Sequence, residues 1–130
     1  MPSWHELREH ARTQYQVDKM EDDWFSVLWS LNAEGRTQRI VVSRYEAYEQ
    51  EWVEFRSYLC AESEMSPRVA LRKNDSLNIG ALALDKDGDY SLIHRAAIAT
   101  LDQQEFALPL QAIALIADRF EDEHTAKDAY

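Results

Sequence analysis

The chain has 130 residues, 45% hydrophobic and 29% charged, and 24 acidic against 14 basic side chains give a formal net charge of −10. A chain of this length buries about two-thirds of its unfolded surface, so one domain with one core is expected over residues 1–130, with 3 Gly and 3 Pro too few for disorder. The negative field repels a phosphate backbone, which argues against nucleic acid as a partner, and the single Cys60 leaves no intramolecular disulfide and points to a reducing compartment, the cytoplasm.

The opening residues Met1 to Glu6 reach mixed charge without the apolar core of a signal peptide, and no apolar run approaches the ~18 residues of a membrane span. Neither export by that route nor a membrane span is expected. Trp4, Leu7, Ala11 and Tyr15 then recur at spacings of three and four, which predicts an amphipathic first helix. Ser3 is its cap and Glu6 the capping-box partner; Glu6, Arg8, Glu9 and Arg12 form its solvated face.

From Trp24 to Leu31 the period becomes two. Phe25, Val27, Trp29 and Leu31 share one side and Trp24, Ser26, Leu28 and Ser30 the other, as in a strand. Asn32 to Gly35 supply turn chemistry, and Arg36 to Tyr45 forms the second arm of a hairpin around Ile40, Val41 and Val42. After a linker at Glu46 to Gln50, Glu51 to Cys60 alternates again. Val53, Phe55, Ser57 and Leu59 oppose Trp52, Glu54, Arg56 and Tyr58.

Ser66 followed by Pro67 starts a short helix to about Lys73, ended by Asn74, Asp75 and Ser76. Leu77 to Leu84 is apolar almost throughout, as a strand covered on both faces would be. Asp85 to Asp89 carries an Asp-Gly hairpin signal before a last strand from Tyr90 to Ala97. Asp102 and Glu105 form a capping box for the last helix, with a stripe of Phe106, Leu110, Ile113, Ala117 and Phe120, widened by Leu108, Ala112, Leu115 and Ile116. Pro109 implies either a start near Leu108 or a kink, and residues 121–130 read as a frayed acidic tail. The order α-β-β-β-α-β-β-α predicts a two-layer α+β domain in which helices cover one face of an antiparallel sheet of about five strands.

The chemistry-bearing residues form no catalytic or metal pattern. His5 and His10 are five apart, whereas two imidazoles on one helix face reach one metal at a spacing of four. Asp85, Asp87 and Asp89 resemble the opening of a calcium loop, but the positions for its glycine and bidentate glutamate hold Tyr90 and Ala96. Cys60 has no signature around it that pairs it with His5, His10, His94 or His124, and reads as a cysteine half-buried at a strand end. Gly35, Gly80 and Gly88 make no phosphate loop. No enzyme, metal or cofactor is expected. Two basic clusters, Arg36, Arg39 and Arg44, then Arg68, Arg72 and Lys73, read as solvated edges, the alternative being a basic patch on an acidic protein.

The strand faces opposite the inferred core stand out. They carry Trp24 and Leu28, Val41 and Tyr45, then Trp52 and Tyr58, too aromatic a set for a solvated sheet face. Large apolar patches anchored by tryptophan and tyrosine mark interfaces, so these six residues are the expected protein-binding or dimer face.

The element order, together with Leu71, Arg72, Asn74, the run Gly80-Ala81-Leu82-Ala83-Leu84-Asp85, Asp87, Gly88, and an alanine-rich last helix ending Ala117, Asp118, Glu121, resembles the YbjN family of bacterial proteins. That family shares the fold of the class I type III secretion chaperones. The resemblance implies a two-layer, often dimeric domain that binds other proteins, a secretion chaperone holding an extended effector segment on apolar patches. The alternative it leaves is a homodimeric regulatory or stress-related protein without a secreted client.

Overall fold

The computed structural model describes residues 3–31 and 36–128, with side chains through residue 120. Helix α1 (Trp4–Gln14) starts where Ser3 Oγ accepts the Glu6 N–H at 3.1 Å, and buries Trp4, Leu7 and Ala11 on one side. Strands β1 (Val17–Met20), β2 (Trp24–Ser30), β3 (Thr37–Ala47) and β4 (Gln50–Ala61) follow. Helix α2 (Pro67–Ser76), β5 (Ala81–Leu84), β6 (Asp89–Ala97) and the long helix α3 (Gln103–Asp128) complete the chain, with 3-10 turns before α2 and α3. The strands form one antiparallel sheet in the order β1-β2-β3-β4-β6-β5.

The fold is the α+β class expected, with six strands among the described residues rather than about five. The additional strand is β1. Val17 and Met20 both pack toward the core although three positions apart, because the pairing with β2 shifts register between Val17 and Lys19. A bulge of this kind breaks the period of two by which a strand is recognised. The β2–β3 turn at Asn32–Gly35 lies outside the described residues.

One side of the sheet carries Phe25, Val27, Ile40, Val42, Val53, Phe55 and Leu92, all fully buried against Leu7 and Ala11 of α1 and Phe106, Leu110, Ile113 and Ala117 of α3. Trp4 stacks on Phe25 at 5.5 Å between centroids, and Phe106 meets Phe55 at 5.5 Å, so each helix is keyed to the sheet by an aromatic pair. Gln38 and Ser57 share this buried side. Gln38 Nε2 donates to Ser57 Oγ, which donates to the Arg39 carbonyl, both at 2.9 Å, so the polar pair is satisfied within the core.

Three boundaries differ from the sequence reading. Helix α2 continues to Ser76 through Asn74 and Asp75, and Leu77, whose N–H bonds the Asn74 carbonyl, caps it. The strand expected over Leu77 to Leu84 shrinks to Ala81–Leu84, since Gly80 takes φ +83, and it is the outer strand of the sheet rather than one covered on both faces. The segment expected as a linker at Glu46 to Gln50 closes as a tight turn in which Ala47 pairs with Gln50 and Tyr48 and Glu49 both have positive φ.

Helix α3 begins ahead of Pro109, at Gln103, with Asp102 Oδ1 accepting the Glu105 N–H at 2.7 Å. Pro109 leaves the carbonyl of the exposed Glu105 without its helical donor. The stripe Phe106, Leu110, Ile113 and Ala117 is buried as expected, whereas Leu108 and Leu115 do not widen it and stay exposed on the outer side of α3. The backbone is helical through Asp128; the side chains from residue 121 on, where the sequence suggested an acidic tail, lie outside the described ones.

Candidate functional site

Strand alternation and register decide what the other side of the sheet presents. Three rows of neighbouring residues cross it: Tyr45, Trp52 and Ala97; Trp24, Ser43, Glu54 and Arg95; Ser26, Val41, Arg56 and Ile93. Leu28 lies next to Arg39, and Tyr58 next to Ser91, beyond the third row. All six residues singled out in the sequence, Trp24, Leu28, Val41, Tyr45, Trp52 and Tyr58, therefore share one face, opposite the side that packs on α1 and α3.

They do not form one uniform patch. Tyr45 and Trp52 stack at 6.4 Å with an 18° interplanar angle, Tyr48 closes on Trp52 edge-on, and the Trp52 indole N–H is committed to the Ala47 carbonyl at 2.8 Å. This corner is fixed by the tight β3–β4 turn below it. Trp24, Val41 and Tyr58 instead line an open groove of about 580 Å³, together with Arg39, Ser43, Arg56 and Ser91. Tyr58 is 53% exposed; Trp24 and Val41 are half-buried by their neighbours across the strands.

Charged groups organise the boundary between the two. Glu54 accepts from Arg56 Nε at 2.7 Å and from Arg95 Nε at 3.1 Å, and the Arg95 guanidinium lies 5.8 Å from the Tyr45 ring centre. Partial burial works to raise the Glu54 carboxyl's pKa, but the two arginines outweigh it and hold it below the usual carboxylate range. Burial likewise pushes the Tyr45 phenol up, with Arg95 pulling it partly back. Arg39 reaches Ser26 Oγ at 3.4 Å and Asp18 at 3.8 Å, long contacts on a side chain nearly half exposed.

The arginines read together in the sequence as one basic cluster separate in space. Arg36 bridges to Asp118 of α3 at 2.6 Å, Arg44 is shared among Asp23, Glu46 and Glu51, and Arg39 belongs to the sheet face. The alternation that puts Arg56 beside Trp52 and Tyr58 also puts Arg39 and Ser43 on this face, yet none of the three is among the six residues expected to bind.

Cys60, His94, His10 and Asp85 are engaged in packing or turn contacts. Cys60 is 2% exposed, and burial, helped by Glu64 and Asp89, pushes its thiol up, the reverse of what activates a nucleophile. His94 packs on Phe55 on the core side, and burial lowers its pKa. His10 meets the rings of Tyr15 and Phe106, each at 6.0 Å. Asp85 Oδ1 accepts the N–H groups of Asp87 and Asp89, so the acidic turn is closed by its own backbone. Among the described residues no helix is long and apolar enough to cross a membrane.

In comparisons with known proteins, no family model, no curated protein and no solved structure matches this chain.

Proposed function

We propose that the chain is a non-catalytic protein-binding module, of the YbjN-like and type III secretion chaperone kind, that receives a partner polypeptide in the cytoplasm on the open face of its sheet. The observation that carries this reading is the alignment of Trp24, Val41, Tyr45, Trp52 and Tyr58 on the face that α1 and α3 leave open. Two of these rings stack on one another while a third, Tyr58, stands more than half exposed above a groove. A sheet face of this kind offers rigid aromatic area at low entropic cost, which is how interface anchors work.

Affinity capture from the source lysate, with a Trp24→Ala, Trp52→Ala double variant alongside, tests the reading. A stoichiometric polypeptide retained by the native chain and lost by the variant supports it. Equal recovery by both, with the variant folded, removes the sheet face from the function.

A further inference from the structure

The groove's charge is opposite to that of the protein. Among the described residues no acidic side chain lines it, while Arg39 and Arg56 both do, in a chain whose formal charge is −10. Arg56 uses its Nε toward Glu54 at 2.7 Å, and among the described residues Arg39 makes the long contacts to Ser26 and Asp18 described above. Each guanidinium carries five N–H donors, more than these contacts consume, and its planar fork matches a carboxylate in a bidentate pair. Val41 neighbours Arg56 across the strands, and the rings of Trp24 and Tyr58 line the same groove, so apolar surface accompanies the two cations.

Resting on the protein-binding reading, we infer that the occupant of this groove is an extended acidic–apolar segment of a partner polypeptide, its carboxylates paired with Arg39 and Arg56 and its apolar side chains laid on Trp24, Val41 and Tyr58. A second copy seated face to face fits less well, because it brings the same two cations to the same centre. A nucleic-acid strand fits less well too, because its phosphates, one per nucleotide, meet the field of −10 with two arginines to offset it. A short segment with a few carboxylates takes both guanidiniums and keeps the rest of its surface neutral.

The probe is a fluorescein-labelled ten-residue peptide of alternating Glu and Leu, measured by anisotropy against the native chain. Three comparison strands, Gln for Glu, Lys for Glu, and a ten-nucleotide oligothymidine, are measured in parallel. The expected result is binding of the Glu peptide about tenfold or more tighter than the Gln peptide, falling with added salt, with the Lys peptide weaker still. Arg39→Gln with Arg56→Gln abolishes that preference, and Arg56→Lys, which keeps the charge and loses the fork, reduces it. Trp24→Ala weakens the Glu and Gln peptides alike. Circular dichroism verifies that each variant is folded.

Equal binding of the Glu and Gln peptides overturns the acidic-segment inference and leaves the protein-binding face standing. Binding of none of the peptides overturns both. A preference for the Lys peptide reverses the assigned polarity, and tighter binding of oligothymidine than of the Glu peptide assigns the groove to a nucleic-acid strand instead; either overturns the inference.

Discussion

The carboxamide of Asn74 pairs both ways with the main chain of Leu82: Oδ1 accepts the Leu82 N–H at 2.6 Å and Nδ2 donates to the Leu82 carbonyl at 3.3 Å. A side chain of α2 thus stands in for a neighbouring strand on β5, the outer strand of the sheet. Unpaired strand edges invite pairing with other chains, so this contact both ties α2 to the sheet and closes one edge.

Asn74→Ala removes both hydrogen bonds and leaves the Leu82 groups to solvent. The expected cost is about 1–2 kcal/mol in urea unfolding, with faster amide exchange confined to β5. Exchange unchanged at residues 81–84 would show that the pairing does not hold the edge.

The β3–β4 turn places two side-chain-bearing residues, Tyr48 and Glu49, at φ 53 and 61. Left-handed backbone costs an L-residue about 1–2 kcal/mol, and glycine avoids that strain while giving back part of the gain as unfolded-state entropy. Glu49→Gly is therefore expected to raise stability by about 0.5–1 kcal/mol at unchanged m-value. A lower urea midpoint would contradict the turn geometry.

Two half-buried groups contribute to the acid limb of stability. His94 has its pKa lowered by burial from the ordinary 6.5, so below that pH the unfolded chain takes up the proton first and stability falls as pH falls. Glu54, held below 4.5 by Arg56 and Arg95 against the opposing effect of burial, has the same sign in a lower window: its contribution is present above 4.5 and is lost as pH drops through the folded value. Urea midpoints measured against pH should lose the upper slope in His94→Gln and the lower slope in Glu54→Gln. An upper slope that persists in His94→Gln would assign it to another group.

The two sheet faces should respond differently to truncation. Phe106, fully buried against Phe55 and Tyr15, is expected to cost about 3–5 kcal/mol on replacement by alanine, whereas Tyr58→Ala, at a ring 53% exposed, should cost under about 1 kcal/mol. A large loss at Tyr58 would make that ring part of the core rather than of a binding face.

The strand face is legible because regular alternation holds within each of β2, β3 and β4: the period of two that buries Phe25, Val42 and Phe55 sends Trp24, Val41 and Tyr58 to the other side. Where alternation broke, so did the reading. The bulge between Val17 and Lys19 hides β1, and the apolar run at Leu77 to Leu84 has the pattern of a covered strand although half of it is connection and the rest is an edge. Asn74 looked like a helix stop, yet its side chain bonds β5 from within the last turn of α2, a tertiary contact to which no local pattern points. Hydrophobicity alone assigned Leu108 and Leu115 to the packed stripe of α3, which the helix's rotation excludes. The polar side of the groove is harder to see because Arg39 clusters in sequence with Arg36 and Arg44, whereas its strand face joins it to Val41 and Arg56.

Partner binding at the open sheet face is tested by placing a photo-activated benzoylphenylalanine at Tyr58 and, separately, at Leu108 on the outer side of α3, and cross-linking each in the source cells. The structure predicts that the probe at residue 58 captures another polypeptide and that Trp24→Ala diminishes the adduct, while the probe at 108 gives no such adduct. Capture at 108 and none at 58, or a 58 adduct only with a second copy of this chain, would contradict a partner-binding role for the open sheet face.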